Sequence, residues 1–94
     1  MLEIRFGENG EILLSGRFDA SQEQKAQAFL ADVRESKIVN LKDLEYISSA
    51  GLGTLLDVQK RLRASGGGLK LVNANKHVRD VFRFSGFDKI FEIE

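Results

Sequence analysis

Ser48 and Ser49 stand side by side in the run YISSAGLGT (Tyr46–Thr54), directly ahead of a Gly-Leu-Gly and an apolar stretch with helical spacing. Four chemistries suit that arrangement. A serine where a loop becomes a helix is a favoured N-cap, its hydroxyl accepting from an orphan backbone N–H, and contributes about 1 kcal/mol over alanine. Glycines at a strand-to-helix turn can present amides to an anion at the positive end of the helix. Here neither the Lys-Ser/Thr of a P-loop nor the third glycine of a dinucleotide fingerprint follows, so the phosphate-cradle signal is weak. A serine nucleophile needs a base held in reach by a third group. His77, the only imidazole, falls at the exposed start of a helix beside Lys76 and Arg79, where a solvated surface role is expected. The fourth chemistry is covalent phosphorylation. Phosphoserine carries about −1.5 to −2 charges at neutral pH, and a helix N-terminus tolerates that charge well. A partner surface packed over the same helix end would not, because it would have to bury a dianion. Such a site switches binding rather than folding, and capping does not exclude it.

Composition narrows the choice of function. Ninety-four residues, 43% hydrophobic and 30% charged, predict one small domain over 1–94 with a single core. Few interior positions remain for a deep substrate cavity, which favours a binding module over an enzyme. Fourteen basic residues balance fourteen acidic ones with no basic block, so direct binding of nucleic acid is not expected. The chain has no cysteine and one histidine, a composition that predicts no disulfide, no metal site and no cofactor. The N-terminal MLEIRFGENG has neither the apolar run of a signal peptide nor that of a membrane span, and a cytoplasmic protein is expected.

The elements that must position the serines follow from hydrophobic spacing. Leu2, Ile4 and Phe6 alternate with charged residues, and GENG then EILLSG completes a β-hairpin. From Ser21, a helix is marked by Ala26, Phe29, Leu30 and Val33, with Ser21 and Gln24 placed as a capping box. IVNL reads as a short buried strand and KDLEY as its exit loop. Leu52, Leu55, Leu56 and Leu62 define one side of a second helix, stopped by Gly66, Gly67 and Gly68. LKLVN is the next strand. Asn75 caps a third helix with Val78, Val81 and Phe82 inward, Gly86 ends it, and KIFEI is a last strand. The order ββαβαβαβ predicts an α/β fold with a largely parallel mixed sheet and an antiparallel N-terminal hairpin.

Three segments, GRFDA (Gly16–Ala20), VNLKDLEYISSAGLG (Val39–Gly53) and GGGLKLVNANKHVRDVFRFSGFDKIFEI near the C-terminus, resemble the STAS domain of bacterial anti-sigma factor antagonists in order and spacing. The resemblance implies a non-enzymatic, STAS-like protein that binds an anti-sigma factor, typically a serine kinase, when unphosphorylated. Phosphorylation of one serine releases the partner, and a phosphatase resets the cycle. In the family the modified serine commonly follows an aspartate, in a pattern like D-S-S/T-G-L. Aligning Gly51-Leu52 puts Ser49 at the modified position, with Ser48 as second choice where the aspartate would stand. Asp19 matches a loop position near the modified serine; a turn or helix-cap aspartate is the plainer reading of it. Leu52 would join Asp19, Ser48 and Ser49 on the docking surface, against a core role. Many relatives add a helix after the last strand, and its lack here implies a less covered sheet face, with room for a partner or a dimer contact. The competing reading is a constitutive STAS subunit of a transporter or signalling scaffold, with both serines only capping. Among Phe82, Phe84, Phe87 and Phe91, one exposed ring is expected, which would favour an interface.

Overall fold

The computed structural model describes every residue from Met1 to Glu94. Strands β1 (Leu2–Phe6) and β2 (Ile12–Phe18) form the expected antiparallel hairpin. The chain continues through α1 (Glu23–Leu30), β3 (Lys37–Ile47), α2 (Ser49–Arg63), β4 (Leu69–Val72), α3 (Lys76–Phe84) and β5 (Glu92–Ile93). The strands lie in chain order, β1-β2-β3-β4-β5, and every pair after the hairpin is parallel. Each parallel step therefore needs a crossover, and the three helices supply them.

Three local expectations are corrected. KDLEY is not an exit loop: Lys37–Ile47 is one strand of 11 residues. Its pairing with β2 shifts register between Leu13 and Ser15 and again between Gly16 and Arg17. Those irregularities put Leu41, Leu44 and Ile47, three residues apart, all into the core. Ser21 does not cap α1. Asp19 instead caps a 3-10 turn, Ala20–Gln22, that precedes the helix, and Gln22 at the N-cap of α1 makes no side-chain cap bond. KIFEI yields only the two-residue β5, because Phe87–Lys89 winds into a second 3-10 turn.

Twenty-one buried apolar side chains, from Leu2 to Phe91, form one continuous core. On its sheet side Ile12, Val39 and Leu71 are in register across β2, β3 and β4. The opposite row, Leu13, Asn40 and Val72, is half-buried, and Ile38 beside it is 46% exposed. Lys70 pairs with Glu92 at 3.5 Å and Glu94 at 2.9 Å, tying down the short β5. At the other end of the sheet, the outward-facing N–H of Leu2 donates to Gln22 Oε1 at 3.1 Å, and Lys25 Nζ donates to Leu2 C=O.

Gly16 sets how β1 meets β2. Its φ is +88°, and a Cβ built there would lie 2.1 Å from Met1 C=O, the group that accepts from Arg17 N–H. A left-handed backbone costs a non-glycine residue roughly 1–2 kcal/mol, before any clash. Gly16→Ala is therefore expected to destabilise the chain by about 2 kcal/mol, read as a lower urea midpoint at unchanged m-value.

Candidate functional site

The C-terminal ends of β2 and β3 and the starts of α2 and α3 come together at one end of the sheet. Ser48 N–H donates to Phe18 C=O at 2.9 Å, joining the exit of β3 to the exit of β2. Ser48 is the N-cap of α2: its Oγ accepts from Gly51 N–H at 3.1 Å, and its C=O accepts from Leu52 N–H at 2.9 Å. Ser49 is the first residue of the helix proper and is exposed, and its hydroxyl enters no hydrogen bond within the chain. The two serines, interchangeable as N-caps by residue type, thus have different occupations.

The Gly-Leu-Gly has a packing explanation. A Cβ at Gly51 would meet Ile47 Cγ1 at 2.8 Å and Phe18 C=O at 3.0 Å, so only glycine lets the first turn of α2 sit down on the ends of β2 and β3. Gly53 has no atom within 4 Å of such a Cβ. Leu52, expected either at a docking surface or in the core, is only 4% exposed and packs in the core, so its docking assignment is corrected. A helix that buries Leu52, Leu55, Val58 and Leu62 has to turn position 52 inward.

Asp19 lies next to Phe18 and so at the same end of the sheet. Its Oδ1 accepts from the Oγ and, at 3.1 Å, the N–H of Ser21. These bonds, the hydroxyl first, hold the carboxyl below its ordinary pKa, with smaller help from the N-terminal amine and Arg17 against the cost of desolvation. The ionised cap is thus intact above the ordinary aspartate range and is lost only as pH falls through the lowered value. The cap role weighed for Asp19 is the one its hydrogen bonds describe.

Asn75 caps α3 as the sequence predicts, accepting from Val78 N–H at 2.8 Å, and its Nδ2 donates to Leu44 C=O at 3.1 Å. This second bond fixes the start of α3 beside β3. His77 is exposed and hydrogen-bonds neither serine; its ring stacks on Tyr46 at 6.2 Å and 22°, while the Arg17 guanidinium lies 4.4 Å from the centre of the Tyr46 ring. Sequence reasoning missed this Arg17–Tyr46–His77 stack. Its members come from β2, β3 and α3, and no local spacing announces a contact made only by the topology.

No triad serves a serine nucleophile here, and no group of three or more His, Asp or Glu side chains is placed to hold a metal ion. The largest groove, about 550 Å³ and open to solvent, is lined by Glu3, Asp43, Glu45 and Asn75 among others and includes neither serine. No helix is long and apolar enough to cross a membrane.

An exposed serine opening α2, set at the strand ends of a mixed five-stranded sheet, is the arrangement that the family resemblance implies. The profile of the STAS domain matches residues 8–94. The chain belongs to the STAS domain family. BtrV of Bordetella bronchiseptica, a protein named as an anti-sigma factor antagonist, is 42% identical to this STAS domain over 84 residues, covering 85% of the chain and 72% of BtrV. The anti-sigma-B factor antagonist of Bacillus subtilis is 35% identical over 63 residues, covering 67% of the chain and 54% of the relative. Among solved structures, the Bacillus anti-sigma factor antagonist SpoIIAA in its unphosphorylated form superposes with a TM-score of 0.78 at 22% identity, over 100% of this chain and 88% of SpoIIAA. SpoIIAA in its phosphorylated form superposes at 0.71. The shared architecture is that of the STAS fold: an antiparallel hairpin leading into a parallel sheet, with three helices.

Proposed function

We propose that this STAS domain is a non-enzymatic anti-sigma factor antagonist that acts in the cytoplasm, binds an anti-sigma serine kinase when unmodified, and releases it when Ser49 is phosphorylated. The observation that carries the reading is the division of labour between the serines. Ser48 Oγ is engaged as the α2 cap, whereas Ser49 Oγ is exposed and unengaged, so a kinase can take its proton without breaking a structural bond. Phosphate at that position meets the positive end of a helix of 15 residues and leaves the core untouched. The name of BtrV and the existence of SpoIIAA in two phosphorylation states support the same reading. A phosphatase acting on phosphoserine completes the cycle.

The test is incubation with a cognate anti-sigma serine kinase and ATP, followed by intact mass. One phosphate is expected on the wild type and on Ser48→Ala, and none on Ser49→Ala. No added phosphate on the wild type, or one that persists in Ser49→Ala, removes Ser49 from the role.

A further inference from the structure

Helix α3 carries a flank beside its buried side, of which only Val81 packs against the core. His77, Val81 and Phe84 are spaced i, i+4, i+7 and so line up on one side of the helix, over about 10 Å of its axis. Val81 is half-buried, His77 is exposed, and Phe84 is 78% exposed. At the head of the flank the Tyr46 ring meets both His77 and the Arg17 guanidinium; at its foot the Arg83 guanidinium lies 5.1 Å from the centre of the Phe84 ring. Aromatic rings and arginines are the residue types enriched where interfaces concentrate their binding energy.

Positive charge predominates along this flank, with Glu45 beside Tyr46 the acidic residue at its head. Arg17, Lys76 and Arg83 are all exposed. The one carboxylate on α3, Asp80, is already shared by Lys76 at 2.8 Å and Arg83 at 3.1 Å. In a chain with as many acidic as basic residues, this is a local excess of positive charge, and its complement is acidic. A line of anchors at helical spacing suits the apolar stripe of another helix. The head of the flank is close in the chain to the proposed phosphorylation site. Tyr46 precedes Ser49 by three residues, so their Cα atoms lie within about 11 Å, and one face of a standard interface, about 800 Å² per partner, spans both.

We propose that the Tyr46–His77–Val81–Phe84 flank of α3, with Arg17 and Arg83 at its ends, is a second docking point for the anti-sigma kinase and takes an acidic amphipathic helix of that partner. The proposal rests on the functional reading above and adds what it lacks: a contact that holds the kinase while Ser49 is presented to it.

The experiment measures calorimetric affinity for the cognate anti-sigma serine kinase, and steady-state phosphorylation by it, for wild type, Phe84→Ser and Arg83→Glu. Both side chains are exposed and outside the core, so the variants are expected to fold. Each should bind about ten-fold more weakly and show a raised KM for phosphorylation with kcat little changed. Raising the salt concentration should weaken wild type more than Arg83→Glu. Wild-type affinity in both variants, or a fall in kcat at unchanged KM, overturns the docking point. If the variants bind as wild type does while Ser49→Asp loses binding, the switch stands and only the α3 contact is wrong. If wild type itself neither binds the kinase nor is phosphorylated, both readings fall. Self-association of the chain that Phe84→Ser abolishes would assign the flank to a second copy and overturn the kinase contact.

Discussion

Ser49→Asp is expected to bind the anti-sigma kinase about 100-fold more weakly than wild type while melting at the same temperature or slightly higher. Both halves follow from the first turn of α2. Position 49 is exposed and follows the cap, so an aspartate there adds a negative charge at the positive helix end, worth about 0.3–1 kcal/mol in favour of the fold. The cap bond between Ser48 Oγ and Gly51 N–H is left alone. A partner packed over that turn must instead desolvate the new carboxylate or set it against acidic groups, at a cost of several kcal/mol, and about 2.8 kcal/mol already corresponds to 100-fold. Calorimetric titration together with a melting curve measures the two halves separately. Binding within two-fold of wild type would favour the constitutive scaffold reading, in which both serines serve only the fold. Ser48→Ala makes the converse comparison: it should cost about 1 kcal/mol of stability through the lost cap and leave Ser49 able to accept phosphate.

The largest loss of stability is expected from Gln59→Leu, a substitution that keeps side-chain volume nearly constant. Gln59 is a buried polar residue of α2, 2% exposed, and its amide joins two strands to the helix. Oε1 accepts from Leu69 N–H at 2.7 Å at the start of β4, and Nε2 donates to Ile90 C=O at 2.8 Å just before β5. Only this orientation of the amide satisfies both groups. Ile90 C=O keeps a second donor, Arg63 Nη1 at 3.3 Å, so the unpaired group left by leucine is Leu69 N–H. A buried orphan donor costs about 1–3 kcal/mol, and the lost bond to Ile90 adds about 1. The expected total is about 3 kcal/mol, a fall of about 15 °C in melting temperature for a domain of this size. A fall of only a degree or two would show that water reaches Leu69 N–H in the variant.

Much of this architecture was legible wherever one local rule acted alone. The hairpin followed from the alternation of Leu2, Ile4 and Phe6, and α3 followed from a single cap, Asn75, ahead of a clear apolar spacing. The misread segments were those where two rules competed. Lys42, Asp43 and Glu45 made KDLEY look like a loop because the irregular pairing with β2 replaces period-two alternation by the three-residue spacing of Leu41, Leu44 and Ile47. Ser21 and Gln24 had the spacing of a capping box, yet Asp19, two residues earlier, reached Ser21 N–H first and started a 3-10 turn instead. At the site, serine chemistry marked the place but could not rank Ser48 above Ser49 as cap, since that depends on where the backbone enters helical geometry. The expected exposed ring among four phenylalanines is Phe84, whereas Phe82 and Phe91 meet edge-on in the core at 5.5 Å. The ring stack on Tyr46 was out of reach, because it exists only once β2, β3 and α3 share one end of the sheet.

The two side chains that occupy the backbone of Leu2 also govern how copies of this molecule can meet. A sheet that ends in a five-residue strand offers a template onto which a second chain can add hydrogen bond by hydrogen bond, the first step towards open-ended polymers. Gln22 and Lys25 fill the two positions that Leu2 offers, and the charges of Glu3 and Arg5 flank the rest of the strand. A second chain approaching this edge thus finds the first rung of the ladder already taken, so side-by-side growth is hindered from its starting residue.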